Sequence, residues 1–230
     1  MMSVLSIKGL RSGYGDIAVI NGVDIELADN EFLGVFGHNG MGKSTLMKTI
    51  AGVVPTTAGH IHLAGADITS RTVAKRARAG LGYVPQGRQV YPNLTGEENL
   101  KVAQLGAGRD GAGIEAVVSM LPRIGPLLKR MGGVMSGGEQ QILALGRCLI
   151  AAPRVILLDE PTEGIQPSIR EEMIETLKHI RSQTTISIVL VEQNIEFLKS
   201  LSDRIVVLQK GSVVSEVADV SSADLESIDL

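Results

Sequence analysis

Gly37-His38-Asn39-Gly40-Met41-Gly42-Lys43-Ser44-Thr45 is the stretch on which the reading of the whole chain turns. Gly37, Gly42, Lys43 and Ser44 fill the spacing G-x-x-x-x-G-K-[ST], a loop whose backbone N–H groups cradle phosphate oxygens. Its flanks supply the context that the pattern requires. Phe32-Leu33-Gly34-Val35-Phe36 is a short apolar run that predicts a buried strand, and Ser44 to Ala51 predicts a helix stopped by Gly52. A strand feeding a glycine-rich turn into a helix N-terminus aims several N–H dipoles at one anion. In this reading Lys43 reaches the outer phosphates and the Ser44 hydroxyl ligates Mg²⁺. A chance lysine in a glycine-rich turn would lack both flanks. The stretch predicts nucleotide binding.

The length of 230 residues suits one α/β domain, or one domain with a small subdomain. Hydrophobic residues make up 44% and charged residues 20%, a globular balance. A net charge of −3 speaks against a nucleic-acid partner, because such proteins are usually basic. The single cysteine, Cys148, excludes a disulfide framework and reads as part of a buried helix face. The start shows no export signal, and no apolar run approaches the ~20 residues of a membrane span. A soluble, cytoplasmic chain is the expectation.

Val4 to Leu10 and Val23 to Leu27 alternate as strands do, with the turn Ser12-Gly13-Tyr14-Gly15-Asp16 between them. Gly59 to Gly65 predicts a further strand, on which His60 and His62 share a face without a third ligand and read as solvated. Arg71 to Arg78 reads as a solvated helix face. Leu81 to Gln86 predicts a strand that stops at Pro85. Residues 87 to 152 then carry helical segments broken by prolines and small residues, which predicts an α-helical insertion. The core resumes with a strand ending at Asp159-Glu160, a helix over 168–182, strands over 185–191 and 204–208, and a helix over 195–201. The α/β core is thus expected over about 1–86 and 153–217, followed by a polar tail at 218–230 with no packing face.

Two further stretches carry chemistry. Leu157-Leu158-Asp159-Glu160 ends an apolar strand in two acids, at the strand terminus where open α/β sheets bind their ligands. Beside a phosphate loop, Asp159 is expected to hold the Mg²⁺ shell, usually through water, and Glu160 to polarise the attacking water. Met135-Ser136-Gly137-Gly138-Glu139-Gln140 sets a serine and two glycines before a second helix, a second anion-receptive N-terminus. One nucleotide cannot easily use both sites from one subunit, whereas a head-to-tail pair of subunits can. A plain helix cap would use the same three residues, and the company of the loop and the acid pair favours the anion site.

With these motifs in this order, the chain resembles the nucleotide-binding subunits of ATP-binding cassette (ABC) transporters from Val4 to about Val217. The resemblance implies an α/β phosphate-loop ATPase core, a mixed sheet with flanking helices and an antiparallel β subdomain, interrupted by a helical subdomain. It implies ATP and Mg²⁺ as ligands, with Gly37 to Thr45 around the nucleotide and Tyr14 stacked on adenine. Such stacking is worth about 1–3 kcal/mol. Gln86 matches the glutamine that joins the metal site, with Ser44 and Asp159, to the helical insertion. Ser136, Gly137, Gly138 and Glu139 match the signature that acts across a dimer, with Met135 for leucine and Glu139 for glutamine. Glu163 to Gln166 occupies the loop that contacts the opposite subunit. The family's switch histidine is here Gln193. Glutamine hydrogen-bonds but carries no proton, which leaves Glu160 as the better catalytic candidate and puts Gln193 in doubt.

Val191-Glu192-Gln193-Asn194, the segment Gly82 to Arg88 and the segment Asp159 to Ser168 resemble importers for branched-chain amino acids, urea and short amides, closest to the urea and amide members. That likeness implies two permease subunits, a second ATPase in a heterodimer or a homodimer, an extracytoplasmic binding protein, and a peripheral place on the cytoplasmic face of the membrane. Arg88, Val90, Tyr91 and Pro92 would face the permease. A soluble ABC ATPase working on DNA or ribosomes would be expected to show coiled-coil arms, a second cassette or a basic surface. A phosphate-loop kinase would need no Ser136-Gly137-Gly138 element. An exporter ATPase differs only by the subfamily likeness and a fused membrane domain.

Overall fold

The computed structural model of the chain describes residues 3–87, 89–107 and 111–220. Arg88 and positions 221–230 of the expected tail lie outside the described residues. In chain order, the hairpin β1 (Ser3–Tyr14) and β2 (Ile17–Ala28) precedes strand β3 (Phe32–Phe36) and helix α1 (Lys43–Ala51). Strands β4 (Thr56–Leu63) and β5 (Ala66–Asp67), helix α2 (Val73–Arg78) and strand β6 (Leu81–Val84) follow. Helices α3 (Gly96–Ala107), α4 (Ile114–Met120) and α5 (Gly137–Leu149) occupy the next stretch, with 3-10 turns at Pro122–Leu127 and Gly132–Val134. The chain continues through β7 (Val155–Asp159), α6 (Pro167–Gln183), β8 (Ser187–Glu192), α7 (Ile195–Leu201), β9 (Arg204–Gln209) and β10 (Ser212–Val217).

The apolar runs become strands covered on both faces. A six-stranded sheet has the order β10-β9-β3-β8-β7-β6 and is parallel except for β10. Every residue of β3, β7 and β8 is buried, as expected where a parallel sheet is packed above and below. Alternation sorts the side chains. Phe32, Phe36, Ile156, Leu158, Ile188 and Leu190 join a core with α5, α6 and α7. Leu33, Val35, Val155, Leu157, Val189 and Val191 join a second core with α1 and the antiparallel sheet β2-β1-β4-β5. Fully burying one such side chain contributes about 1.5–3 kcal/mol, so both layers are fastened to one central sheet. This is the expected mixed α/β phosphate-loop fold.

Three local features depart from the sequence reading. Arg76, expected on a solvated face, is buried and donates to the carbonyls of Thr49 at 2.8 Å, Ile50 at 2.6 Å and Thr69 at 2.6 Å. It supplies donors and positive charge to the carboxyl end of α1, where both are favourable. Strand β10 continues the sheet over residues with no assigned structure in the sequence, because a half-exposed edge strand carries little apolar patterning. Val220, in the stretch expected to be unpacked, is buried against the α6–α7 side of the sheet. Cys148 packs against the same core, and burial pushes its thiol up to about 12. Among the described residues no helix is long and apolar enough to cross a membrane.

Candidate active site

Three adjacent strands end at one edge of the sheet. β3 delivers the phosphate loop, β7 delivers Asp159 and Glu160, and β8 between them delivers Glu192 and Gln193. Register pairs Phe36 with Glu192 and Asp159 with Val191, which brings the three strand ends level. Asn39, Gly40 and Gly42 to Thr45, together with Val19, Gln86 and Glu160, line a cavity of about 250 Å³. Gly37, His38 and Met41 complete the loop outside that lining. Gly42 takes φ 100°, a conformation that glycine adopts without strain. No side chain caps α1, which leaves the first-turn N–H groups of the helix for an anion.

Inside the cavity the ionic groups are paired with one another. Lys43 Nζ lies 3.0 Å from Glu160 Oε1 and donates to the His38 carbonyl at 3.0 Å. The two side chains are 3% and 5% exposed, so removal of either leaves a buried, uncompensated charge, a loss of about 3–5 kcal/mol. Gln86 Nε2 donates to Glu160 Oε2 at 3.2 Å and to Glu163 Oε2 at 2.9 Å. Glu160 itself takes φ 47°. A left-handed conformation costs a residue other than glycine on the order of 1–3 kcal/mol, and such strain gathers at functional sites.

Ser44 Oγ donates to Asp159 Oδ1 at 3.1 Å, and the Tyr83 hydroxyl donates to Oδ2 at 3.2 Å. Burial pushes the Asp159 carboxyl above the ordinary carboxylate range, and the two hydroxyls pull it part of the way back. Burial, with the charge of Asp159, likewise pushes the Tyr83 phenol up, so it stays a donor. The Ser44 hydroxyl, the Asp159 carboxylate and the Gln86 amide oxygen are hard donors of the kind Mg²⁺ takes. Among the described residues no cluster of three or more His, Cys, Asp or Glu side chains could hold a metal ion. A site that draws its remaining ligands from water and phosphate fits that donor set.

The remaining expected site residues stand apart. Ser136 Oγ accepts from the Glu139 N–H at 3.3 Å, and Glu139 Oε2 accepts from the Ser136 N–H at 2.7 Å, a reciprocal cap on α5. Arg130 also pairs with Glu139 and, with the cap, holds its carboxyl below the ordinary range. Ser136, Gly138 and Glu139 line a separate cavity of about 330 Å³ beside Ile169 of α6. A Cβ on Gly138 would come within 2.2 Å of the Ile169 side chain, so the two helices meet there only through glycine. Gly137 is the first residue of α5. Tyr14 ends β1 half exposed, and Gln193 is exposed; neither lines the loop cavity.

Two polar residues at the site escaped the sequence reading, the partly buried Tyr83 and the buried Glu192. Each left a signal. A tyrosine in a buried strand needs a partner for its hydroxyl, and Val191-Glu192 repeats on β8 the apolar-then-acid ending of Leu158-Asp159.

The model of the family described as ABC transporter matches residues 20–163. The chain is 35% identical over 206 residues to the probable branched-chain amino acid transport ATP-binding protein LivF of Archaeoglobus fulgidus, covering 89% of this chain and 87% of that protein. It is 34% identical over 213 residues to the high-affinity branched-chain amino acid transport ATP-binding protein BraG of Pseudomonas aeruginosa, covering 92% and 91%. In fold it is similar to a nucleotide-free ATP-binding cassette from an ABC transporter, with TM-score 0.85, 22% identity, and 94% and 91% of the two chains covered. A dimeric cassette in a post-hydrolysis state bound to ADP and Pi gives TM-score 0.81 at 23% identity, over 93% and 98%. The chain belongs to the ABC transporter family of ATP-binding proteins and is an ATP-hydrolysing enzyme.

Proposed function

We propose that the chain is the ATPase subunit of an ABC importer, driving uptake of a small polar or amino-acid-like solute through separate permease subunits. The observation that carries the site is the convergence of Lys43, Ser44, Gln86, Asp159 and Glu160, linked by contacts of 3.0 to 3.2 Å. The importer reading is supported by the two relatives named for branched-chain amino acid transport, alike over about nine-tenths of both chains. The solute is a branched-chain amino acid, or the urea or short amide suggested by the segment Thr162 to Ser168.

In this reading Gly37 to Thr45 hold the phosphates of ATP and Tyr14 stacks on its base. Ser44, Gln86 and Asp159 would hold Mg²⁺, the last through water, where it would supply positive charge to the phosphate oxygens. Lys43 exchanges Glu160 for phosphate, and the freed Glu160 carboxylate accepts a proton from the attacking water. Gln193 plays a lesser part. Ser136 to Glu139 act on nucleotide held by a second ATPase, identical or related. ATP binds the closed pair preferentially and so shifts the transporter between access states. The core spans about 1–86 and 153–217, the helical subdomain 87–152, and the tail 218–230. The complex sits peripherally on the cytoplasmic face of the membrane, with an extracytoplasmic binding protein as its solute donor.

Affinity capture of the chain from gently solubilised host membranes, followed by mass spectrometry, tests the transport reading. Recovery of two permeases and a second ATPase is expected, and the associated binding protein is then titrated with leucine, urea and short amides. Ribosomes or chromosomal proteins without a membrane partner would overturn it.

A further inference from the structure

Glu192 closes β8 at 2% exposure, and the hydrolytic chemistry above makes no use of it. Its two carboxylate oxygens serve different segments. Oε1 accepts from the Thr162 N–H at 2.9 Å and from the Thr162 hydroxyl at 2.7 Å. Oε2 accepts from the N–H of Gln193 at 3.2 Å and of Asn194 at 3.4 Å. One buried anion therefore ties the turn that follows Glu160 to the turn that carries Gln193.

The choice of residue is demanding. Burial, with the nearby Glu160 charge, pushes the Glu192 carboxyl above its ordinary range, while the surrounding donors favour the ionised form. A carboxylate accepts on both oxygens and offers no N–H of its own. A glutamine would turn its NH₂ toward one of the two sets of donors. Glu160, two residues before Thr162, is left-handed and donates its N–H to the Val191 carbonyl at 3.0 Å. The strained turn is thus fastened to the end of β8 on both sides of Pro161.

We propose that Glu192 is a positioning residue for ATP hydrolysis, holding the Glu160–Thr162 turn and the Gln193 turn in one fixed geometry. The proposal rests on the reading of Glu160 as the base. Gln193 has no charge through which its side chain could be anchored, so the backbone anchor carries more of its placement. Orientation of this kind acts on kcat more than on ground-state binding.

The test measures steady-state ATPase kinetics and thermal unfolding for Glu192→Gln, Thr162→Val and the double variant, with Glu160→Gln as control. Glu192→Gln should lower kcat by about tenfold or more, with KM for ATP within about twofold of wild type. Thr162→Val should lower kcat less, and the double variant should be no slower than Glu192→Gln, because both cuts sever one link. An unfolding temperature that falls while kcat per folded molecule stays at the wild-type value would overturn the proposal, as would additive losses. If Glu192→Gln proves too unstable to assay, Thr162→Val decides alone: lower kcat at unchanged KM supports positioning, and unchanged kcat overturns it. Turnover retained in Glu160→Gln would bring down the base assignment and this proposal together. Loss of turnover there, with wild-type kcat in Glu192→Gln, would overturn the positioning role alone.

Discussion

The phosphate loop and the entry to α5 are both glycine-rich openings of a helix, yet the protein finishes them in opposite ways. At α1 no side chain occupies the helix terminus, and the neighbouring cation Lys43 is neutralised by Glu160 in a buried pair. At α5, Ser136 and Glu139 close the terminus with a reciprocal cap, and Arg130 holds the glutamate from outside. On the proposed function, the first opening takes an anion whose arrival frees the Glu160 carboxylate from Lys43. The second is already satisfied within its own chain, so an incoming phosphate has to share or replace existing hydrogen bonds. Two similar sequence signals therefore end in different states: a helix terminus that no side chain caps, and a helix terminus closed within its own chain.

The largest expected effect tests the released carboxylate. Glu160→Gln should keep nucleotide binding and lose turnover by about 10²–10⁴-fold, the range of a general base; near-wild-type hydrolysis would break the picture. Next comes the cation. Lys43→Ala should weaken ATP binding by about 10–100-fold in calorimetry, since a hydrogen bond to a charged group is worth about 1.5–3 kcal/mol. An unchanged dissociation constant would mean that the loop does not use its lysine.

A third variant separates chemistry from stability. Burial raises the Asp159 carboxyl above its ordinary 3.8, so ionising it costs the folded state. That cost is absent below about pH 3.8 and complete once pH passes the raised value, so the stability held by the neutral acid is lost as pH rises. At pH 7, Asp159→Asn should lower hydrolysis yet raise the unfolding temperature, by about 2–4 °C per kcal/mol recovered. A fall in unfolding temperature would show that the Ser44 and Tyr83 contacts outweigh desolvation. The smallest effect belongs to the capped helix. Ser136→Ala should cost about 1 kcal/mol of stability and leave ATP affinity of the isolated subunit unchanged. A loss of affinity comparable to that of Lys43→Ala would merge the two sites and end the contrast.

Much of this site was legible along the chain. The strand, loop and helix around Lys43 are a local signal, and so are the apolar run into Asp159-Glu160 and the serine-glycine entry to α5. Each depends on residue types a few positions apart. Arg76 was misread because helical spacing shows a face but not what covers it. Tyr83 and Glu192 were passed over because their partners, Asp159 and Thr162, are remote in sequence.

The sequence by itself determined the α/β phosphate-loop class, the order of the motifs and the chemical types at the site, because strand period, helix capping and loop glycines are short-range constraints. Only the tertiary structure decided who pairs with whom. Ser44 and Asp159 are 115 residues apart and meet because β3 and β7 flank β8 in one parallel sheet. The same sheet order sets Lys43 against Glu160 and aims both oxygens of Glu192 at two different turns. Burial then sets the energetics of these groups, since a carboxylate that water would solvate in an open chain must here find its donors within the fold.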